Sequence, residues 1–360
     1  MINLKKVGLT ALAGSLAAVT AQAGELSVSG AANVTLKNGG KANTVNAIGT
    51  DKDVKFSGSG EMDNGWTFAI HTLTKDDIGT VSSTATVITM GSMGSIGFGT
   101  GGGTNVAGAY DETYPRAYEE TSDAGGQSAS NYIGNWADDN AIVYQGPAME
   151  MMGATINWGL EYSLQAGTAT ANDGGTTARS DTYGEGYGLG VTIGYDALTV
   201  GAYVAERDNK NQASVADVQD EFNGTWFANY SMGPVSIGYQ KIYVDAGLTA
   251  ASADDTTTNA KTVGTSSGHF EGDSMSIAFN VNDSMSISYT TSDETYDTQD
   301  DVATAVTTDN DVTETIDAIQ IAYSMGGMSI KAYNMEVTNP DQDDNAVDAS
   351  ITEIALGFAF

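Results

Sequence analysis

The sequence contains no cysteine, only four prolines, and 14 basic residues against 46 acidic ones. Without cysteine, the fold cannot depend on disulfide bonds. The formal net charge of −32 excludes nucleic acid as a partner, because the phosphate backbone would be repelled. After the amino-terminal segment no apolar run approaches twenty residues, which excludes helical membrane spans.

The amino terminus has the pattern of an export signal. Lys5 and Lys6 form a positive region, 7–19 is apolar but too short to span a bilayer, and 21–23 reads A-x-A. We therefore predict a cleaved signal peptide over 1–23 and a mature chain over 24–360. Export from a bacterium-like cell leads to the periplasm, the outer membrane or the medium.

The mature chain alternates between apolar and small or polar residues, with no helical periodicity. In 154–164, for example, Trp158 and Leu160 fall on one face while Asn157 and Gly159 fall on the other. Such alternation predicts β-strands, and sixteen candidates lie near 26–36, 53–62, 66–73, 81–90, 95–100, 139–145, 154–164, 182–194, 198–205, 222–230, 235–244, 269–280, 284–292, 313–324, 328–337 and 350–360.

The connections between these strands alternate in length. Tight turns rich in Gly, Asn and Asp lie at 63–65, 91–94, 147–153, 195–197, 231–234, 281–283 and 325–327. Longer loops lie at 37–52, 74–80, 101–138, 165–181, 206–221, 245–268, 293–312 and 338–349. Short periplasmic turns, long external loops and an even strand number are typical of a transmembrane antiparallel up-and-down β-barrel.

The chain ends on an apolar strand face made by Ile354, Leu356, Phe358 and Phe360. A barrel must close its last strand against its first, so an apolar strand at the end of the chain is expected in a barrel. In a bilayer the apolar faces would meet lipid, and Ser, Thr, Asn, Gln and Gly would line an aqueous interior. The inward series of small residues, Gly184, Gly186, Gly188 and Gly190, indicates space inside.

These features resemble the trimeric general-diffusion porins of Gram-negative bacteria, across 24–360. The terminal aromatic pattern is similar to the signal that porin-assembly machinery reads. In that family the third loop folds into the barrel and narrows it, with acidic residues opposite a basic cluster on the wall. Carried over by position, 101–138 would be the constriction loop, and its constriction residues would be Asp111, Glu112, Arg116, Glu119, Glu120 and Asp123. The alternative is that 111–123 is a solvated external loop.

Charged residues on the polar strand faces are candidates for the lumen wall: Lys55, Glu61, His71, Glu161 and Lys331. The chain departs from the family in its arginines, because Arg116, Arg179 and Arg207 all fall in predicted loops. We therefore expect an acidic eyelet without a strong transverse field. A carboxylate cluster in a narrow lumen favours cations and repels anions.

Other function classes are weaker. The chain has two histidines, His71 and His269, and no nucleophile-elbow motif accompanies them, so we expect no enzyme. No cofactor is implied. Acidic strings at 309–311 and 341–345 match no EF-hand, and they predict loosely bound Ca²⁺ or Mg²⁺ rather than a specific metal site.

Small residues on the lipid side of the first two strands, Gly30, Ala32, Gly58 and Gly60, fit the family's trimer, although sheet curvature would explain them equally well. The expected function is an outer-membrane porin for passive diffusion of ions and small hydrophilic solutes, with a preference for cations. Its expected surroundings are outer-membrane lipid and lipopolysaccharide. The alternatives are a substrate-specific porin and a non-conducting structural or adhesin barrel.

Overall fold

A computed structural model describes residues 24–40, 46–76, 81–101, 103–124, 126–127, 129–138, 141–164, 166, 183–209, 219–247, 261, 263, 268–297 and 311–360. The expected signal peptide and Arg179 lie outside these residues. Among the described residues, no helix has the length and apolarity needed to cross a bilayer.

The described chain is dominated by β-strands. They are β1 (Glu25–Gly39), β2 (Asn46–Glu61), β3 (Thr67–Lys75), β4 (Val81–Thr89), β5 (Ser95–Thr100), β6 (Ala141–Gln145), β7 (Met149–Met151), β8 (Ala154–Ser163), β9 (Tyr183–Tyr195), β10 (Leu198–Asn209), β11 (Glu221–Met232), β12 (Val235–Asp245), β13 (His269–Asn282), β14 (Met285–Asp297), β15 (Val312–Met325), β16 (Met328–Thr338) and β17 (Ala349–Ala359). Short 3-10 helices lie at Gly91–Met93, Ala107–Ala109, Thr121–Ala124, Ser130–Tyr132, Asn135–Asp138 and Pro340–Gln342.

The strands form one closed antiparallel sheet. Apart from β6 and β7, each strand pairs with its neighbours in the chain, and β1 pairs with both β2 and β17. The short β7 and the preceding β6 both pair with β8, so they share one position around the barrel. The barrel therefore has sixteen strand positions, which confirms the predicted fold class.

Several strands are longer than predicted, mainly at their external ends. β2 starts at Asn46, β10 runs to Asn209 and β14 runs to Asp297, whereas we expected loops there. The predicted turn at 147–153 also contains β7. Outward residues near these ends are acidic, for example Asp208 and Asp293. Outward residues alternate as apolar residues only where the strand crosses the lipid, but the hydrogen bonds between strands continue beyond it. The sequence pattern therefore underestimates strand length.

The outward face carries a broad apolar surface. Its exposed side chains include Leu26, Val28, Phe56, Ile70, Phe98, Leu160, Leu189, Val204, Trp226, Ile237, Ile277, Ile319, Ile330, Ile354 and Phe358. Such a continuous band exceeds what a water-soluble monomer normally exposes, and it suits a hydrocarbon surround.

The inward face differs from the expectation of a uniformly polar lining. Tyr203, Phe227 and Phe270 point inward and are buried, and they join a hydrophobic cluster with Tyr110 and Trp136 of 101–138. The loop that enters the barrel brings apolar side chains with it, and these require apolar partners on the wall.

The inward glycines of β9 also serve a different purpose from the one predicted. A Cβ on Gly190 would lie 2.3 Å from the Tyr110 ring, and one on Gly186 would lie 2.8 Å from the Trp136 ring. The space beside these glycines is therefore filled by the incoming loop, so the glycines permit close packing.

The barrel closes where the last residue meets the first strand. The backbone of Phe360 exchanges two hydrogen bonds with Gly30, of 2.8 and 3.0 Å. The Phe360 ring covers Gly30, where a Cβ would lie 2.5 Å from it. The Phe68 ring covers Gly60 in the same way, which accounts for two of the four small outward residues.

Candidate functional site

The described part of loop three, which we define as 101–138, lies inside the barrel. Its main chain and side chains contact inward-facing residues of β8 to β17, namely Glu161, Thr192, Arg207, Glu221, Asn223, Asn229, Gln240, Ser276, Ser288, Glu294, Gln320, Lys331, Tyr333 and Glu353. The loop therefore covers one side of the lumen and leaves the wall of β1 to β4 facing it.

The first part of the loop is fastened to β8. The Val106 N–H donates to Glu161 Oε2 over 2.6 Å, and the hydroxyl of Tyr203 donates to Glu161 Oε1. Glu161 is only 2% exposed. This predicted lumen-wall carboxylate is therefore covered by the loop and does not line open water.

The middle of the loop runs along the barrel wall, and side chains of the wall form hydrogen bonds with its main chain. The Ala117 N–H donates to Ser288 Oγ over 2.9 Å, and the Tyr118 N–H donates to Gln320 Oε1 over 2.8 Å. Ser276 Oγ donates to the carbonyl of Pro115. Wall serines and glutamines thus satisfy the backbone of this stretch.

Tyr118 connects the loop to the last two strands. Its hydroxyl donates to Glu353 Oε1 over 2.8 Å, and Lys331 Nζ lies 4.8 Å from the centre of its ring. Burial and the nearby carboxylates of Glu119 and Glu353 raise the pKa of Tyr118 far above its ordinary value, so the phenol stays a donor.

Glu112 organises the loop internally. It has a left-handed backbone (φ 35°), its side chain is buried, and it accepts hydrogen bonds from Tyr114, Thr121 and Ser122. Burial places this predicted constriction residue away from the lumen surface.

The other predicted constriction residues remain accessible to different degrees. Asp111, Arg116, Glu119 and Glu120 are half-buried and Asp123 is exposed. Arg116 forms an ion pair with Glu120 and also donates to the carbonyl of Glu112. The loop face thus presents four carboxylates and one guanidinium.

Two of these carboxyl groups titrate unusually. Burial, followed by repulsion from Glu112, raises the pKa of Glu120 to about 7 despite the opposing charge of Arg116. Partial desolvation by the surrounding loop, followed by repulsion from Glu119, raises the pKa of Asp123 to about 6, although its side chain is exposed at the loop surface.

The opposite wall carries more charged residues than expected. Lys37, Lys55 and Lys75 lie on the inward faces of β1, β2 and β3. The sequence pattern predicted loops at Lys37 and Lys75. Lys37 faces Glu353 in register and Lys75 faces Asp53. The external extensions of β1 and β3 carry these two lysines into the barrel, and the extension of β2 carries Asp51 there, so the wall holds charges of both signs.

Lys55 and His71 line a small polar recess on this wall. The recess has a volume of about 200 Å³ and includes the hydroxyls of Ser27, Ser57 and Ser59. Glu61 is exposed at the end of β2, facing Thr67 in register, next to the periplasmic turn. Lys55, His71 and Glu61 thus all lie on the inward face of β2 and β3, at different distances from the periplasmic turn.

Arg207 lies on β10 and not in the loop where we expected it. It faces Glu221 in register, forms a buried ion pair with it, and donates to the Tyr132 hydroxyl over 2.8 Å. The Tyr183 ring lies 3.5 Å from its guanidinium carbon. Alternation could not reveal this cluster, because its partners come from separate segments.

The two histidines lie on opposite faces of the barrel. His71 lies on the lumen wall, whereas His269 points outward with Nε2 3.3 Å from Asp297. Within the described ranges, no three His, Asp or Glu side chains converge as a metal-binding group.

A family model described as Gram-negative porin matches residues 8–268. The chain belongs to this porin family. Among curated proteins, none matches the sequence.

Solved structures show the same fold at low identity. A porin structure is similar with a TM-score of 0.61 and 15% identity, covering 93% of this chain and 100% of that chain. Salmonella typhi OmpF in complex with daunomycin gives 0.66 and 12%, covering 95% and 99%. The trimer form of in-vitro folded OmpT from Vibrio cholerae gives 0.54 and 13%, covering 94% and 100%.

Family and fold together identify this porin as a channel protein of the outer membrane.

Proposed function

We propose that this porin passes ions and small hydrophilic solutes by passive diffusion, through a passage between loop three and the wall of β1 to β4. The observation that carries the proposal is the one-sided position of the loop. It bonds with inward side chains from β8 to β17, while Lys55 and His71 on the facing wall border an open recess. A lumen that is lined with charge and hydroxyl groups suits hydrated solutes.

The preference for cations is part of the proposal. Asp111, Glu119, Glu120 and Asp123 focus negative potential in a narrow lumen. Lys37, Lys55 and Lys75 oppose them on the facing wall, where Asp51 and Asp53 also lie. We therefore expect a moderate cation preference and a transverse field stronger than the sequence suggested.

A substrate-specific porin is the second candidate. The apolar cluster around Tyr110, Trp136, Tyr203 and Phe270 fills part of the barrel, which favours a narrow passage over a wide one. A non-conducting adhesin barrel is the third candidate, and single-channel recording separates it from a pore.

A homotrimer is the proposed assembly. On the outward face of β3 to β5, Thr72, Thr84 and Thr100 lie side by side in register, with the Thr84 and Thr100 hydroxyls 3.0 Å apart. A hydroxyl-rich face is a poor surface for hydrocarbon and a good one for another barrel. Replacing Thr84 with Arg should shift the protein to monomers in light scattering, while unchanged trimers would reject this interface.

Outward carboxylates near the external strand ends are proposed to meet lipopolysaccharide through loosely bound Ca²⁺ or Mg²⁺. Glu271, Asp273, Asp293 and Asp317 lie on this face, with Lys241 bonded to the first two. Cleavage of the signal peptide and reading of Ile354, Leu356, Phe358 and Phe360 by assembly machinery complete the proposal.

Single-channel recording in planar bilayers tests the function. We expect stable conductance. Under a KCl gradient, we expect a reversal potential whose sign shows that K⁺ is more permeant than Cl⁻. Absence of conductance would reject the pore. Swelling of liposomes in graded sugars separates a general pore, with a smooth size cut-off, from a specific one that admits one solute faster than its size allows.

A further inference from the structure

Two carboxylates on the inner wall, Glu294 and Glu314, lie directly opposite each other on β14 and β15. Both are completely buried. Burying an ionisable pair of like charge is unfavourable unless strong donors surround it, so the identity of those donors reveals what the pair is for.

Loop three supplies the first set of donors. The Gln127 N–H donates to Glu314 Oε2 over 3.1 Å, and the Ala129 N–H donates to Glu294 Oε1 over 3.2 Å. The Ser130 N–H and hydroxyl donate to Glu294 Oε2 over 3.0 and 3.2 Å.

Loop eight, which we define as 339–348, supplies the second set. The Asp341 N–H donates to Glu314 Oε2 over 2.9 Å, the same oxygen that accepts from Gln127. Gln342 Nε2 donates to Glu294 Oε1 over 3.1 Å and to the Glu294 carbonyl over 3.3 Å. Each carboxylate thus binds both loops at once.

The geometry of loop eight depends on this attachment. Asn339, Asp341 and Gln342 all have left-handed backbones, with φ of 49°, 60° and 52°. Such conformations are unfavourable for residues other than glycine and persist where the surroundings enforce them. Gln342 is 1% exposed, so the loop is buried at its stem, whereas Val347 near its end is 74% exposed.

We propose that Glu294 and Glu314 fasten loops three and eight to each other, so that loop eight is a second element that sets the bore of the pore. This arrangement, the two-loop clasp, consists of Glu294, Glu314, Gln127, Ala129, Ser130, Asp341 and Gln342. The clasp lies a few residues after Asp123 in the chain, so releasing it frees the constriction stretch at one end. The inference about bore rests on the proposed pore function.

The clasp predicts that a change in loop eight loosens loop three. Gln342→Asn keeps an amide and tolerates the left-handed backbone, but it is one methylene too short to reach Glu294. Gly126→Ala breaks the other arm, because its Cβ would lie 1.6 Å from Glu314 Oε1. Asp344→Ala, at an exposed position of loop eight, is the matched control.

The first readout is amide hydrogen exchange of the full-length porin in detergent, followed on the peptide that contains 127–130. In Gln342→Asn we expect exchange there to accelerate about tenfold or more, since a charge-assisted hydrogen bond is lost. Asp344→Ala should match the wild type. Unchanged exchange in Gln342→Asn and Gly126→Ala would overturn the clasp whether or not the protein conducts.

The second readout is the sugar cut-off in liposome swelling and the noise of the open channel. Gln342→Asn and Gly126→Ala should admit larger sugars and should visit other conductance levels about tenfold more often. If exchange accelerates while both properties stay native, loop eight does not set the bore and the proposal fails. A wild type without conductance would instead reject the pore function itself.

Discussion

Arg207 and Glu221 face each other on β10 and β11 and form a buried ion pair, to which the Tyr132 hydroxyl adds a shared contact. Through Tyr132 the pair connects the end of loop three to the external half of the wall. Burial and the carboxylate of Glu221 raise the pKa of Tyr132, so this phenol remains a donor at all ordinary pH values.

Removing one partner of this pair should destabilise the barrel strongly. Arg207→Met leaves a buried carboxylate uncompensated, for which about 3–5 kcal/mol of unfolding free energy is the expected loss. Urea unfolding in lipid vesicles measures it. The double variant Arg207→Met with Glu221→Leu should recover most of the loss, and a double variant as unstable as the single one would contradict this.

Neutralising the accessible acids of loop three should reduce cation preference. The combined variant Asp111→Asn, Glu119→Gln, Glu120→Gln and Asp123→Asn removes the negative potential at the loop face. We expect the reversal potential under a KCl gradient to move toward zero.

Glu112→Gln is the informative comparison, because Glu112 is buried within the loop. It should loosen the loop while leaving the sign of selectivity unchanged. If Glu112→Gln alone abolished cation preference, the lumen face assigned here would be wrong.

Acid should weaken selectivity earlier than ordinary carboxylates allow. The pKa of Glu120 is raised to about 7 from an ordinary value of 4.5, so this group takes up its proton as the pH falls through neutrality. Reversal potentials recorded from pH 8 to pH 5 should show a decline centred near 7, and Glu120→Gln should flatten it. A native profile that is flat down to pH 5 would contradict the assignment.

The stability of loop three should rise as the pH falls, whereas the cation preference declines. A carboxyl group with a raised folded pKa contributes stability that is fully present below its ordinary pKa and is lost as the pH rises through the folded value. Loop three should therefore exchange its amide hydrogens more slowly at pH 5 than at pH 8, after correction for the intrinsic rate.

The inward glycines of β9 offer a test of the packed half of the barrel. Gly190→Ala would place a Cβ 2.3 Å from the Tyr110 ring, and overpacking of this kind costs about 1–3 kcal/mol. Gly194→Ala on the same strand and face is the control, because its nearest neighbour atom lies 4.0 Å away. Equal urea midpoints for the two variants would show that loop three does not pack there.

The strands and their outward faces were predictable because lipid imposes a period of two on the sequence. All sixteen predicted strands correspond to strand positions in the barrel. The inward apolar residues were harder to predict. Tyr203 and Val204 are adjacent apolar residues that interrupt the alternation, and the structure explains this because Tyr203 packs against Tyr110 of loop three. Two adjacent apolar residues were the one sequence signal for this inward contact.

The buried wall acids were missed for a related reason. Glu221, Glu294 and Glu314 lie near strand ends in acidic surroundings, so sequence alone assigned the first two to solvated loops. Their hydrogen-bond donors include the Tyr132 hydroxyl and the N–H groups of Gln127 and Asp341, which lie far away in the chain. Local pattern carries no information about such partners.

The central claim is that water fills the space between loop three and the wall of β1 to β4. The absence of cysteine makes the chain a ready background for single cysteine substitutions. His71 faces inward on β3, and Phe56 is an outward, exposed residue of the neighbouring β2. In single-channel recordings, a charged thiol reagent should reduce the current of His71→Cys and leave that of Phe56→Cys unchanged. An unreactive cysteine at 71 in a conducting barrel would contradict the claim.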